Sequence, residues 1–268
     1  DEMAQRRELE QKMRKVAASF GYGEIVTPMF EEQELFVLKS GEGILGEMYA
    51  FEDKGGRGIA LRPELTAPTI RAYVNEAQVA PKPLRWFYFE ECFRYERPQK
   101  GRYRQFWQFG CELIGADSAA ADAEVIALAY SLLKCTGVNF IIKVGHLAPM
   151  KSLLADLDAV EQKKVMSALD KRDEDLLKNT VASLGKPELF EPLVALTKAQ
   201  SLAEVFAVVG DIPEKARIEE TFGFLEAQNI PVVYNFGIAR GLDYYTGMVF
   251  EGFADNLGAE NQILGGGV

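Results

Sequence analysis

Residues 84–114 read LRWFYFEECFRYERPQKGRYRQFWQFGCELI, and this stretch decides the fold. Aromatic residues dominate it on both sides of one interruption, Pro98-Gln99-Lys100-Gly101, which is the pattern of two long antiparallel strands joined by a loop. Side chains alternate along a strand, so Phe106, Gln108, Gly110 and Glu112 share one face while Trp107, Phe109, Cys111 and Leu113 share the other. Arg94 and Glu96 alternate in the same way with Phe93 and Tyr95. An ordinary hairpin with one solvated face shows this alternation too. Two features count against it. Solvated faces favour Lys, Thr and Ser, whereas Arg, Glu, Gln and an aromatic here flank a glycine that would let a ligand approach closely. The loop also adds Lys100, Arg102 and Arg104, a cationic rim suited to a polyphosphate.

Working outward, Leu9, Met13, Val16, Ala17 and Phe20 recur at helical spacing before Gly21, so a helix is expected from about Gln5 to Phe20. A strand over Glu24–Thr27 is stopped by Pro28, and a helical stretch runs through Leu35, Phe36 and Leu38. Met48–Glu52 and Ile59–Leu61 read as a hairpin around Asp53-Lys54-Gly55-Gly56-Arg57-Gly58. A helix starts near Thr66 and ends by Asn75; another covers Asp122 to Lys134, and Asn139–Val144 is a strand. From about Ala148 to Glu226 the pattern is helical almost throughout, and strands return at Val232–Asn235 and Thr246–Phe253. The expected class is α+β: an antiparallel sheet flanked by helices, with a core over 1–147 and 229–268 and an inserted helical domain over 148–228.

Composition narrows the function. The 268 residues are 48% hydrophobic and 26% charged, as in an ordinary globular protein, and no run reaches the ~18 apolar residues of a membrane span. Thirty basic against forty acidic residues give a net charge of −10, which argues against a broad nucleic-acid face while leaving room for local basic patches. Three cysteines without C-x-x-C spacing suggest neither a disulfide framework nor a zinc site, so no metal site is assigned and a reducing cytoplasm is the simplest compartment. No apolar signal-peptide core is visible. The chain stops at Gly265-Gly266-Gly267-Val268, inside an element, and reads as a piece of something longer.

Several segments have plain structural readings. Arg62-Pro63-Glu64-Leu65-Thr66 fits a strand end with a helix cap at Thr66. Arg240 to Tyr245 fits a glycine turn followed by packed tyrosines. Gly41-Glu42-Gly43 and Gly55-Gly56 match neither phosphate-binding fingerprint and read as turns. The single histidine, His146, reads as a turn or helix-cap residue, and Cys92, Cys111 and Cys135 as small buried hydrophobes. The charge runs at 161–164 and 171–175 read as solvated helix faces.

Taken together, these segments resemble one family. Phe93-Arg94-Tyr95-Glu96-Arg97-Pro98-Gln99-Lys100-Gly101-Arg102-Tyr103-Arg104-Gln105-Phe106 resembles motif 2 of the histidyl-tRNA synthetases, which are class II aminoacyl-tRNA synthetases. Arg240-Gly241-Leu242-Asp243-Tyr244-Tyr245-Thr246-Gly247 resembles that family's histidine-binding motif, Leu61 to Pro68 its amino-acid loop, and the first helix through Pro28 class II motif 1. Trp107 and the stretch Gly258-Ala259-Glu260-Asn261-Gln262 point to the archaeal branch.

The resemblance implies that Arg94 holds the ATP α-phosphate, Glu96 faces the adenine, Phe106 stacks on it and Arg102 reaches the phosphates. It implies that Glu64 and Thr66 receive the histidine α-amino group, and that Gln108, Glu112, Tyr244 and Tyr245 line the pocket and read the imidazole. Arg240 would be a second catalytic arginine beside Arg94, between carboxylate and α-phosphate. ATP with Mg²⁺, L-histidine and the acceptor end of tRNA(His) are the implied ligands, a homodimer the implied assembly. Motif 3 and an anticodon-binding domain would lie beyond residue 268. The alternative from the same fold is a histidine-sensing regulatory subunit of ATP phosphoribosyltransferase. Such paralogues usually lose parts of motif 2, whereas Arg94, Glu96, Arg102 and Phe106 are all present here.

Overall fold

The computed structural model describes residues 1–40, 42–96, 102–171, 173–237, 245–255 and 261–268, which divide into two compact units. In the first unit, α1 (Glu2–Ser19) is capped by the Asp1 carboxylate, which accepts the Met3 N–H at 3.1 Å, and is laced by the Glu8–Lys12 and Glu10–Arg14 pairs one turn apart. Gly21, at φ +81°, reverses the chain. The strand expected over 24–27 shrinks to β1 (Gly23–Glu24), which pairs in parallel with Trp86 and Phe87. Beyond it only the Ile25 N–H reaches the neighbouring strand, at the Phe87 carbonyl.

A small antiparallel sheet follows in the order β2 (Phe30–Glu32), β4 (Gly58–Leu61), β3 (Tyr49–Glu52), with α2 (Gln33–Ser40) between β2 and β3. Phe36, Met48, Ala60 and Ala67 form its core. The β3–β4 turn is made by Asp53, whose carboxylate accepts the N–H groups of Gly55 at 2.7 Å and Arg57 at 3.0 Å. α3 (Thr66–Ala72) comes next and continues into a π turn over Tyr73–Ala77.

The dominant feature is the expected hairpin, β5 (Leu84–Phe93) and β6 (Gln105–Ile114), with ten consecutive residue pairs from Leu84↔Ile114 to Phe93↔Gln105. Its apolar face carries the stacked Phe87–Phe109 pair and the tilted Phe89–Trp107 pair, with ring centroids 5.5 and 5.0 Å apart. Two arginines of α1 lie over it: the Arg6 guanidinium is 4.1 Å from the Trp107 ring centroid and that of Arg14 is 5.7 Å from Phe87.

The second unit holds a four-stranded sheet in the order β10-β9-β7-β8: β7 (Phe140–His146), β8 (Val233–Tyr234), β9 (Met248–Ala254) and β10 (Gln262–Gly267). β7–β9 and β9–β10 are antiparallel, while β7–β8 is parallel. The carboxy-terminal glycines thus belong to a strand. Residues Ser118–Tyr130 belong to this unit and Ser131–Gly137 to the first, so helix α4 (Ala119–Thr136) is divided between the two. The expected helical stretch is α5 (Leu147–Leu153), α6 (Ala159–Asp170), α7 (Glu174–Ser183), α8 (Phe190–Lys198), α9 (Leu202–Val209) and α10 (Lys215–Ala227). The charge runs do more than face water. Asp158 and Glu161 form a capping box on α6, and Asp173 caps α7. Asp122, almost fully buried, is bound by both Nε and Nη2 of Arg217, joining α4 to α10.

His146 ends β7 and caps α5, its Nδ1 accepting the Ala148 N–H at 3.0 Å, as the sequence suggested. Burial, with Arg217 and Lys151 adding to it, pushes its pKa from 6.5 down to about 4, so the imidazole is neutral in the fold. The unfolded chain therefore binds the proton first. Stability from this group is complete above pH 6.5 and falls as pH drops towards 4. Between pH 7.5 and 5 the loss should be about 2 kcal/mol. His146→Asn keeps a capping acceptor but cannot titrate, so urea unfolding at the two pH values should show a pH slope smaller by that amount. Equal slopes would contradict the assignment.

Candidate active site

The register of the hairpin puts Trp86, Tyr88, Glu90 and Cys92 on the same face as Phe106, Gln108, Gly110 and Glu112. A side chain at Gly110 would collide with the ring of Tyr88, which lies across it. The glycine thus makes room for a tyrosine, not for the ligand expected from the sequence. Tyr88 is 3% exposed, and its Oη donates to Glu112 Oε1 at 3.1 Å and stands 3.4 Å from Thr66 Oγ1. Burial, then the charge of Glu112, drives the Tyr88 pKa well above its ordinary value, so the group is a phenol and a donor.

Glu64 and Thr66 reach this point because α3 begins there. The cap differs from the sequence expectation: the Glu64 carboxylate accepts the N–H of Thr66 at 2.6 Å and of Ala67 at 3.1 Å, while Leu65 at the cap position makes no side-chain bond. A carboxylate takes that position because Thr66 is already helical and its hydroxyl turns to Tyr88. Leu65, Tyr88 and Cys92 form the buried floor, with Ile25 and Phe106 against it. Glu64, Thr66, Tyr88 and Glu112 thus form a polar group set on an apolar base, suited to a small ligand carrying an ammonium and a ring N–H.

Further along the same face lies a cationic end. Arg94 donates from Nε to the Pro63 carbonyl at 2.8 Å, and its guanidinium is 5.1 Å from the Phe106 ring centroid. Arg102 pairs with Glu96 at 3.1 Å, and Arg104 lies 4.2 Å from the centre of Tyr95. Arg94, Glu96, Arg102 and Phe106 are therefore grouped in the first unit, as are Glu64, Thr66, Gln108 and Glu112. Arg97 and Lys100 of the loop lie outside the described residues, as do Arg240 and Tyr244. Tyr245 belongs to the second unit, packed with Leu147 and Val249.

Sequence reasoning missed Tyr88 and Cys92. The signal was present: both alternate in phase with the polar face once β5 is set opposite β6. Cys92 is fully buried as expected, whereas Cys111 and Cys135 are only partly so. Among the described residues no three His, Cys, Asp or Glu side chains converge as a metal site, and no helix is long and apolar enough to cross a membrane.

Comparison with known proteins gives the family. The family described as histidyl-tRNA synthetase matches residues 1–268. Histidine–tRNA ligases of Methanocorpusculum labreanum and Archaeoglobus fulgidus are 80% and 51% identical to the chain over its whole length. Both are archaeal, the branch to which Trp107 pointed. The chain spans 65% and 66% of their lengths. Among solved structures, one titled ATP phosphoribosyltransferase regulatory subunit/histidyl-tRNA synthetase, from Bacillus halodurans, superposes with TM-score 0.86 at 26% identity, covering 99% of this chain and 72% of that one. The apo S. aureus histidyl-tRNA synthetase gives 0.65 at 27%, covering 100% and 58%. With the full-length family match, the conclusion is direct: this chain belongs to the histidyl-tRNA synthetase family.

Proposed function

We propose that the chain is the amino-acid-activating part of a histidine–tRNA ligase. The observation that carries the reading is the Thr66–Tyr88–Glu112 contact set beside the Glu64 carboxylate, with Arg94 and Phe106 further along the same hairpin face. Glu64 and Thr66 would take the α-ammonium, Glu112 would accept an imidazole N–H, and Arg94 and Arg102 would hold the phosphates with Phe106 on the adenine. Arg240, Tyr244 and Tyr245 take their assignments from the resemblance of their motif. A histidine carboxylate oxygen attacks the α-phosphorus of ATP, the bond from that phosphorus to the oxygen bridging the β-phosphorus breaks, and diphosphate leaves with those electrons. Transfer to the 3′ end of tRNA(His) follows. The step needs positioning and positive charge and no side-chain nucleophile. Mg²⁺ would arrive with ATP, held chiefly by phosphate oxygens, and would neutralise their charge. The regulatory-subunit reading is less well supported, since the relatives identical at 44–80% are histidine–tRNA ligases and the nucleotide-facing residues of motif 2 are retained.

Motif 1 resemblance and exposed Val26, Met29 and Phe30 after α1 support a homodimer. Sedimentation at micromolar concentration should show a species of twice the chain mass; a monomer alone would overturn the dimer. A cytoplasmic location accords with the reading.

Calorimetry should show histidine binding and no measurable phenylalanine binding, because a ligand without ring nitrogens offers no N–H to the Glu112 carboxylate and sets an apolar ring against it. Tyr88→Phe keeps the ring over Gly110 but removes the donor to Glu112, and should weaken histidine binding by about 10–100-fold. Equal binding of both amino acids would refute the pocket.

In a protein continuing beyond residue 268, Arg240→Ala should lower histidine-dependent ATP–diphosphate exchange by about 10²–10³. A wild-type protein that binds histidine without exchange would favour the sensor reading.

A further inference from the structure

Cys92 is 0% exposed and stands opposite Phe106, and its Sγ lies 3.3 Å from Oε1 of Gln108, one diagonal step along the face. Burial pushes its pKa to about 12, although Arg62 and Arg94 act to lower it and Glu64 and Glu90 to raise it. The sulfur therefore carries its proton and donates.

A glutamine amide has one accepting and one donating edge, and only its hydrogen-bond partners decide which edge faces a ligand. The geometry points to Cys92 as a positioning residue: by engaging Oε1 of Gln108 it leaves the N–H edge for the ligand, so that Gln108 donates to the amino acid's carboxylate. This rests on the histidine-activating reading. An N–H edge cannot receive an ammonium, and histidine offers only two acceptors, its carboxylate and the unprotonated ring nitrogen. The order along β6 chooses between them. Glu112 marks the ring end and Phe106 the nucleotide end, with Gln108 between them and about 13 Å along the strand from Glu112. The carboxylate must face the nucleotide in order to attack phosphorus, so it is the group nearer Gln108.

The test is calorimetry with histidine and with histidinol, which keeps the ring and ammonium but lacks the carboxylate. Cys92→Val is apolar and slightly larger, lacks a donor, and should lower histidine affinity about three- to tenfold while leaving histidinol unchanged. Cys92→Ser, which restores a donor, should recover histidine binding. Urea unfolding reports whether each variant folds, and Cys92→Ala carries the same expectation if Cys92→Val does not. Loss of affinity for both ligands alike, no loss for either, or Ser behaving as Val would overturn the proposal. A wild-type chain that binds histidinol but not histidine would overturn it as well, and one that binds neither removes the functional reading beneath it.

Discussion

The buried guanidinium of Arg62, 1% exposed, is the fixed point of the first unit. It donates to the Glu91 carbonyl at 2.8 Å, to the Thr27 carbonyl at 2.7 Å and to the Glu90 carboxylate at 2.8 Å. A charge withdrawn from water to this degree is tolerated only when its donors are met, and removing one partner typically costs 3–5 kcal/mol, roughly. Its own backbone completes the junction: the Arg62 N–H reaches the Met29 carbonyl and the Arg62 carbonyl accepts the Phe93 N–H. The segment before β2, the end of β4 and the strand β5 are thereby registered at one residue. Glu64 and Thr66 follow within four residues, so where they stand beside Tyr88 is set by that clamp.

The hairpin separates two tasks by its period of two. One face packs Phe87, Phe89, Trp107 and Phe109 under the arginines of α1, and the other carries the polar set. Packing on the first face makes the second rigid, which suits a site that must hold groups in place without reacting itself. Within the polar face, β6 supplies Gln108 and Glu112 while β5 supplies the donors, Cys92 and Tyr88, that orient them.

The hairpin, its two faces and most helices were legible because alternation and helical periodicity are local signals. Strand 24–27 was not, because pairing there depends on a neighbour sixty residues away, and only Gly23 and Glu24 pair with it. Nothing in the sequence distinguishes the buried Arg62 from Arg94, since burial is set by tertiary packing. A glycine at position 110 reveals space without saying what fills it; the filler, Tyr88, becomes visible only through register. The capping side chain is Glu64 and not Thr66, because a Glu just before the helix can reach forward to the N–H groups of Thr66 and Ala67.

The proposed function requires this hairpin face to hold histidine in one orientation. The most direct measurement is a crystal structure of the chain with histidine bound. It should place a ring nitrogen about 3 Å from the Glu112 carboxylate, the ammonium at Glu64 and Thr66, and the carboxylate on the Gln108 side. Histidine bound away from this face, or reversed with its carboxylate towards Glu112, would contradict it.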